Sequence, residues 1–222
     1  MCGDQLVERF KAEAMDWKQL EIAQQIVLAN DKSVLPELEP LLKHSDRHIR
    51  GNAALVFGRL GDPRGLDVIA AILGDYSDRP AGQGSNCVMR GPGDSCGRNQ
   101  IVADRYYAVH LLGLLKDPKA APILVTYLDD PDINYKIPWA LQNIGGKAAI
   151  AGLIKALRNS NAEVRVFAVE GLEDLRAVEA VAEIQRLADD KGVSSYGRQG
   201  YVDGGITVSE AARAAVATLG KP

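Results

Sequence analysis

Aromatic side chains are scarce in this 222-residue chain, at 5% of the total, so any core must be built from aliphatic residues. No run of 18 apolar residues is present, and no transmembrane helix is expected. The net charge is only −3, which argues against a dedicated nucleic-acid binder, since such proteins normally present a basic face. The first residues lack the basic-then-apolar layout of an export signal, so the cytoplasm is the expected compartment. Three cysteines occur, and Cys87 and Cys96 share one glycine-rich segment. There they can close a disulfide in an exporting compartment or stand as two thiols in the cytoplasm. The remainder, 46% apolar and 25% charged, is ordinary for a packed soluble protein.

What is present is a repeat. The stretch from Asp46 to Ile72 reads helix, tight turn, helix. From Ile49 its pattern is apolar, Arg, two free positions, Ala-Ala, then Phe57-Gly58 and Leu60-Gly61-Asp62-Pro63. Asp104 to Pro118 repeats the frame, as do Ile133 to Ile144, Val164 to Leu175 and Val208 to Leu219, and a worn copy ends at Ala29. The anchors Ala29, Leu60, Leu115, Ile144, Leu175 and Leu219 lie 31, 55, 29, 31 and 44 residues apart. The period is therefore near 30, and two copies carry insertions. Helix pairs at so short a period bury their apolar faces against neighbouring copies, which predicts an all-α fold, an α-solenoid of about five pairs.

The expected organisation is a single domain over 1–222, with an N-terminal cap and partial repeat at 1–32. Repeats follow at 33–60, 65–115, 118–144, 147–175 and 177–219, with insertions at 75–100 and 189–206. In each repeat a helix A precedes a helix B. The A helices are expected at 33–44, 65–74, 118–129, 147–158 and 177–188, and the B helices at 46–60, 102–115, 131–144, 161–175 and 207–219. Both insertions replace an A-to-B turn and are rich in glycine, so they read as loops or short hairpins on one edge. Insertions on one edge commonly mark a binding face, although surface loops also lengthen at little entropic cost. Asp46, Asp130 and Ser160 or Asn161 stand at the capping turn of the uninterrupted copies, while Ile101 and Gly205 hold that slot after the insertions. Helix caps are expected to be lost there.

The B-helix positions equivalent to 48, 51, 52, 55 and 59 should point away from the A layer, onto the concave wall of a solenoid. They hold His48, Asn52 and Leu55, then Tyr106, Tyr107 and His110, then Tyr135, Lys136, Trp139 and Asn143, then Phe167, Glu170 and Asp174. Leu55, His110, Trp139 and Glu170 are equivalent and should form a row. The candidate binding residues are thus Tyr106, Tyr107, His110, Tyr135, Lys136, Trp139, Asn143, Phe167 and Glu170, a gathering of rings and charge suited to a peptide or small ligand. Burial against a loop is the alternative, for Tyr107 and Phe167 especially. Pro138 falls inside the third B helix and predicts a kink beside Trp139, shaping a pocket or marking a drifted copy.

Arg50, Arg105 and Arg165 recur at one slot. The i,i+4 pairs Asp46…Arg50 and Asn161…Arg165 favour ties between helical turns over an anion-binding ladder, which Asn134 and Ser209 interrupt. No metal site is indicated: zinc needs about four ligands, and the cysteine segment supplies two, with no His nearby in sequence. His44, Asp46 and His48 are a weak two-His pattern that straddles a helix boundary. Neither Gly91-Pro92-Gly93-Asp94-Ser95 nor Gly82-Gln83-Gly84-Ser85 has the Lys and helix context of a phosphate loop. No Ser-His-Asp or Cys-His arrangement can be assigned.

The repeat, standing here as Ile49-Arg50…Ala53-Ala54…Phe57-Gly58-Arg59-Leu60-Gly61-Asp62-Pro63, resembles the HEAT-like repeat of the phycobilisome-lyase type. The resemblance covers most of 16–220. It implies helix pairs, and a family that ranges from bilin lyase subunits holding a tetrapyrrole to bacterial scaffolds. A related helical-repeat architecture serves DNA glycosylases. Fold alone does not transfer function, and no catalytic motif of either enzyme class is matched. The expectation is a non-catalytic, protein-binding scaffold without a cofactor, using the B-helix face and the two edge insertions. A small-molecule site of bilin-like chromophore type, or a lyase subunit, is the alternative. A glycosylase-like enzyme fits the acidic balance least.

Overall fold

The computed structural model describes residues 3–77, 96–198 and 200–220. The chain forms two compact units, Met1–Leu115 and Lys116–Pro222. Unit 1 contains α1 (Gly3–Ala12), α2 (Asp16–Ala29), α3 (Leu35–Leu38) with 3₁₀ turns on either side, α4 (Arg47–Arg59), α5 (Arg64–Leu73) and α6 (Cys96–Leu115). Unit 2 contains α7 (Ala120–Val125), a 3₁₀ turn Asn134–Lys136 leading into α8 (Ile137–Ile144), α9 (Gly146–Ala156) and α10 (Ala162–Asp174). It continues with α11 (Val181–Gln185), the strands β1 (Val193–Gly197) and β2 (Gly200–Thr207), and α12 (Val208–Leu219). The all-α repeat is present, and the second insertion is an antiparallel β-hairpin.

The B-to-A turns share one backbone feature, a positive φ, which Gly145 combines with an extended ψ of −173°. The residue directly after each of the first five anchors has a left-handed backbone: Asn30 (φ 53°), Gly61 (90°), Lys116 (57°), Gly145 (68°) and Arg176 (52°). That conformation swings the chain back so that the next amides reach the last carbonyls of the helix. After α4, Gly61 N–H donates to Gly58 O (3.0 Å) and Asp62 N–H to Phe57 O (2.9 Å). After α10, Arg176 and Ala177 repeat the pair on Glu173 O and Leu172 O, at 2.9 and 3.0 Å.

The A helices end on side chains. Arg50 donates to His44 O and Ser45 O, Arg105 to Leu73 O, and Arg165 to Asn159 O and Ser160 O. The recurrent Arg is therefore structural, but not through the expected i,i+4 pairs. Asp46 and Asn161 spend their side-chain oxygens on the N-terminal amides of α4 and α10, leaving the guanidinium to serve the preceding helix. Where the slot holds Asn134 or Ser209, another residue takes over: Asn159 donates to Leu128 O (2.6 Å) and Arg213 to Ala188 O (3.0 Å). Asn134 keeps its Oδ1 buried without a hydrogen-bond partner.

The core is aliphatic, and small residues set its helix spacing. Ala53, Ala108, Ala168 and Ala212 are buried as their positions predict. Helices α4 and α5 approach closely, and a Cβ on Gly65 would stand 2.3 Å from Gly58 N.

Three expectations are corrected. Helix α6 begins at Cys96, so Ile101 lies inside it; no glycine or proline between Arg98 and Ile101 stops the helix extending backward. Helix α12 has kept its cap: Thr207 Oγ1 accepts from Glu210 N (3.1 Å), and Thr207 N donates to Glu210 Oε2 (2.8 Å). Pro138 kinks nothing, because the 3₁₀ turn ends at Lys136 and the proline falls in the first turn of α8, where its missing N–H is no loss. Cys2 and Cys87 lie outside the described residues.

Two predictions follow from the helix ends. Arg105 is 1% exposed and also stacks on Tyr76, 3.9 Å from its ring centre. Arg105→Met strands Leu73 O and should lower unfolding stability by about 2–3 kcal/mol in urea titration; a loss below about 1 kcal/mol would refute the capping role. Arg176→Gly relieves the left-handed strain and should raise stability by roughly 0.5–1 kcal/mol; a decrease would contradict the account of the turn.

Candidate functional site

The candidate residues divide between the units: Tyr106, Tyr107 and His110 lie on α6 in unit 1, the other six in unit 2.

In unit 1 the B helices α2 and α4 pack side by side, and so do α4 and α6, so positions expected to face a partner face one another instead. Leu55 and Asn52 are buried, which removes them from any wall. Asn52 Nδ2 donates to Asp16 O (3.0 Å) and Gln19 Oε1 (3.1 Å), and its Oδ1 accepts from Tyr107 OH (2.6 Å). Burial therefore pushes the Tyr107 hydroxyl well above the usual tyrosine range. His48 meets the Tyr107 ring edge-on at 4.6 Å and lies between two carboxylates, Asp104 at 3.5 Å and Asp16 at 3.7 Å. Fully buried Asp104 is held in turn by Arg47, which also binds Asp75 and Ser77. Such a network fixes one arrangement of three helices. Tyr107 belongs to it; Tyr106 and His110 are half-buried beside it, with His110 stacked 6.3 Å from Tyr107.

In unit 2, Tyr135 and Lys136 occupy the 3₁₀ turn, and Trp139 and Asn143 follow on α8, all half-buried. Lys136 Nζ sits 3.5 Å from the centre of the Trp139 ring. Burial pushes this ammonium down to about 8, while the negative face of the indole pulls the other way. Burial raises the Tyr135 hydroxyl, and the carboxylate of Glu163 adds to the effect. Asn143 Nδ2 bonds Trp139 O (2.8 Å), so this side chain steadies its own helix. Phe167 is half-buried on α10.

Glu170 has a partner that the sequence reading missed. Hairpin strand β1 packs on α10, and the turn residue Arg198 donates from its backbone N to Glu170 Oε1 (2.9 Å). Its guanidinium reaches Glu170 O (3.3 Å), Glu173 (2.7 Å) and Asp174 (3.1 Å). Burial raises the Glu170 carboxyl, partly offset by that N–H. The available signal was Ser-Ser-Tyr and Tyr-Val flanking Gly197-Arg198-Gln199-Gly200, a hairpin pattern with a cation at its turn. Across the hairpin Tyr196 and Tyr201 pair edge-on at 5.9 Å, 46% and 70% exposed.

Among the described residues, no group of three His, Cys, Asp or Glu is placed to hold a metal ion, and no helix is long and apolar enough to cross a membrane.

The HEAT repeats family matches residues 3–83 and 100–162, more than half of the chain. The chain is a HEAT-repeat protein. No curated protein matches it. Among solved structures, this HEAT-repeat chain is similar to the complex of CpcE and CpcF of phycocyanin lyase from Nostoc sp., at 18% identity, with 84% of this chain and 71% of that one covered and a TM-score of 0.45. Human deoxyhypusine hydroxylase in complex with glycerol is similar at 19% identity, with 98% and 84% covered and a TM-score of 0.41. An engineered protein is similar at 16% identity, with 98% and 96% covered and a TM-score of 0.41.

Trp139→Ala admits water around Lys136 and should return its amine from about 8 toward the ordinary 10.5. NMR of ¹³C-dimethylated lysines reads this directly; an unchanged midpoint would show that the indole does not bury the amine.

Proposed function

We propose that this HEAT-repeat chain is a non-catalytic scaffold that holds a protein partner. The gripping residues are those of the B-helix face in unit 2: Tyr135, Lys136, Trp139, Asn143, Phe167 and Glu170. The observation that carries the reading is the Lys136–Trp139 pair, a half-buried cation lying on an indole in a chain with few aromatics. Rigid aromatic anchors beside a charge are the composition that dominates binding energy at protein interfaces. The exposed Tyr196–Tyr201 pair on the hairpin adds a second anchor of the same kind. In unit 1, Tyr107 holds α6 in place through Asn52.

The test is affinity capture with tagged full-length chain from its own host, followed by titration of the captured partner. Trp139→Ala with Lys136→Ala should weaken binding at least about 30-fold, in keeping with the loss of about 2 kcal/mol or more expected at an interface anchor. Equal capture by wild type and double variant would overturn the reading. A small molecule that co-purifies in native mass spectrometry and vanishes with Trp139→Ala would replace the partner protein with a ligand.

A further inference from the structure

The hairpin Val193–Thr207 is held firmly at its root and weakly at its tip. At the root, Asp190 takes two bonds of 2.9 Å from Arg165 and one of 2.8 Å from Gly192 N, and Thr207 is locked into the cap of α12. At the tip, attachment runs through Arg198 alone among the described turn residues. Its side chain is 44% exposed, and its partners Glu173 and Asp174 are 17% and 33% exposed. Ion pairs made by so exposed a cation hold less than buried ones and are weakened by salt. Of the larger apolar side chains, Val193, Tyr196 and Tyr201 face solvent, and only Val202 and Ile206 are half-buried, on the side of Gly197. Gly204 and Gly205 have left-handed backbones close to the root, and a Cβ on Gly205 would collide with Val193. A segment with its aromatic side chains in solvent, glycines at its base and a turn fastened by one arginine lies toward the low-stability end of a fold.

What the tip covers is Glu170, the α10 position equivalent to Trp139 on α8. A Cβ on Gly197 would stand 3.2 Å from Glu170 Oε1, so the turn lies directly on that carboxyl. We propose that the hairpin is a strap, fastened by Arg198, that covers the α10 part of the recognition face and lifts to give Glu170, Glu173 and Asp174 to a basic turn of the partner. The strap itself displays the chemistry the surface takes: a glycine followed by an arginine, presented by an extended segment. This inference rests on the protein-binding reading of the B-helix face, but its test needs no natural partner.

Hydrogen exchange read by mass spectrometry on the full chain is the first arm. Arg198→Ala should speed amide exchange at least tenfold within Val193–Thr207 while α9 and α12 keep their rates. In the wild type, raising salt from about 0.05 M to about 1 M should act in the same direction. The charge swap Arg198→Glu with Glu173→Arg should restore protection that Arg198→Glu alone removes, which a general loss of folding would not permit. In the second arm the probe is a synthetic peptide spanning residues 191–208. It should bind the Arg198→Ala chain at least tenfold more tightly than the wild type, and lose that advantage when its own Arg198 is replaced. Unchanged exchange in Arg198→Ala, or a peptide that binds neither chain, would overturn the strap. Failure of the scaffold reading shows elsewhere, in capture that ignores Trp139.

Discussion

A helix that stops inside a packed array leaves carbonyls that something must answer, and this constraint organises the chain. B helices answer it with backbone, through a left-handed residue that folds the next amides back onto the helix end. A helices answer it with side chains, chiefly an arginine from the following B helix. The two solutions differ in consequence. A left-handed residue reverses the chain tightly and starts the next A helix against the one just finished. An arginine spans the A-to-B step without fixing its length, which is why insertions are tolerated there and not at the other turn. In unit 2 the hairpin enters behind Asp190, the residue that anchors Arg165.

The B-helix faces have diverged between the units. In unit 1 the face is filled with hydrogen bonds running from α2 through Asn52 to Tyr107, and from His48 through Asp104 to Arg47. Such a network is costly to disturb, since any member left unpaired is buried in low dielectric. In unit 2 the corresponding positions carry Lys136, Trp139 and Glu170, which remain half-open and are occupied by their own neighbours: an indole under an amine, a hairpin turn over a carboxyl. One helix has thus been given a bonded network in one unit and half-open rings and charges in the other.

The helix pairs were legible because the repeat is written in spacing: apolar anchors near every thirtieth residue, Ala at the tight crossings, Gly-Asp-Pro at the clearest turn. The side-chain roles were less so. Arg50 and Arg165 lie four residues after Asp46 and Asn161, and linear distance suggests a pair. In three dimensions both capping residues turn toward their own helix's amides, and the arginines turn toward carbonyls of the preceding helix. Leu55 was placed on a wall because one helix considered alone has an outside; the flanking B helices abolish it. Thr207-Val208-Ser209-Glu210 is a capping box that local pattern does reveal, yet the alignment of copies put the cap slot at Gly205. Arg198 on α10 was beyond reach, since nothing in sequence says where a hairpin turn will land.

The substitute donors bear on how such a chain can be rearranged. Leu128 O is answered by Asn159 of the next copy and Ala188 O by Arg213 of its own, so the donor no longer comes from one slot shared by all copies. The copies have consequently lost interchangeability. Moving 118–144 elsewhere in the array, or duplicating it, would separate Leu128 from Asn159 and leave Asn134 in a slot where only an arginine can help. Recombination among copies, the usual way repeat arrays lengthen, is closed to this stretch unless donor and acceptor travel together.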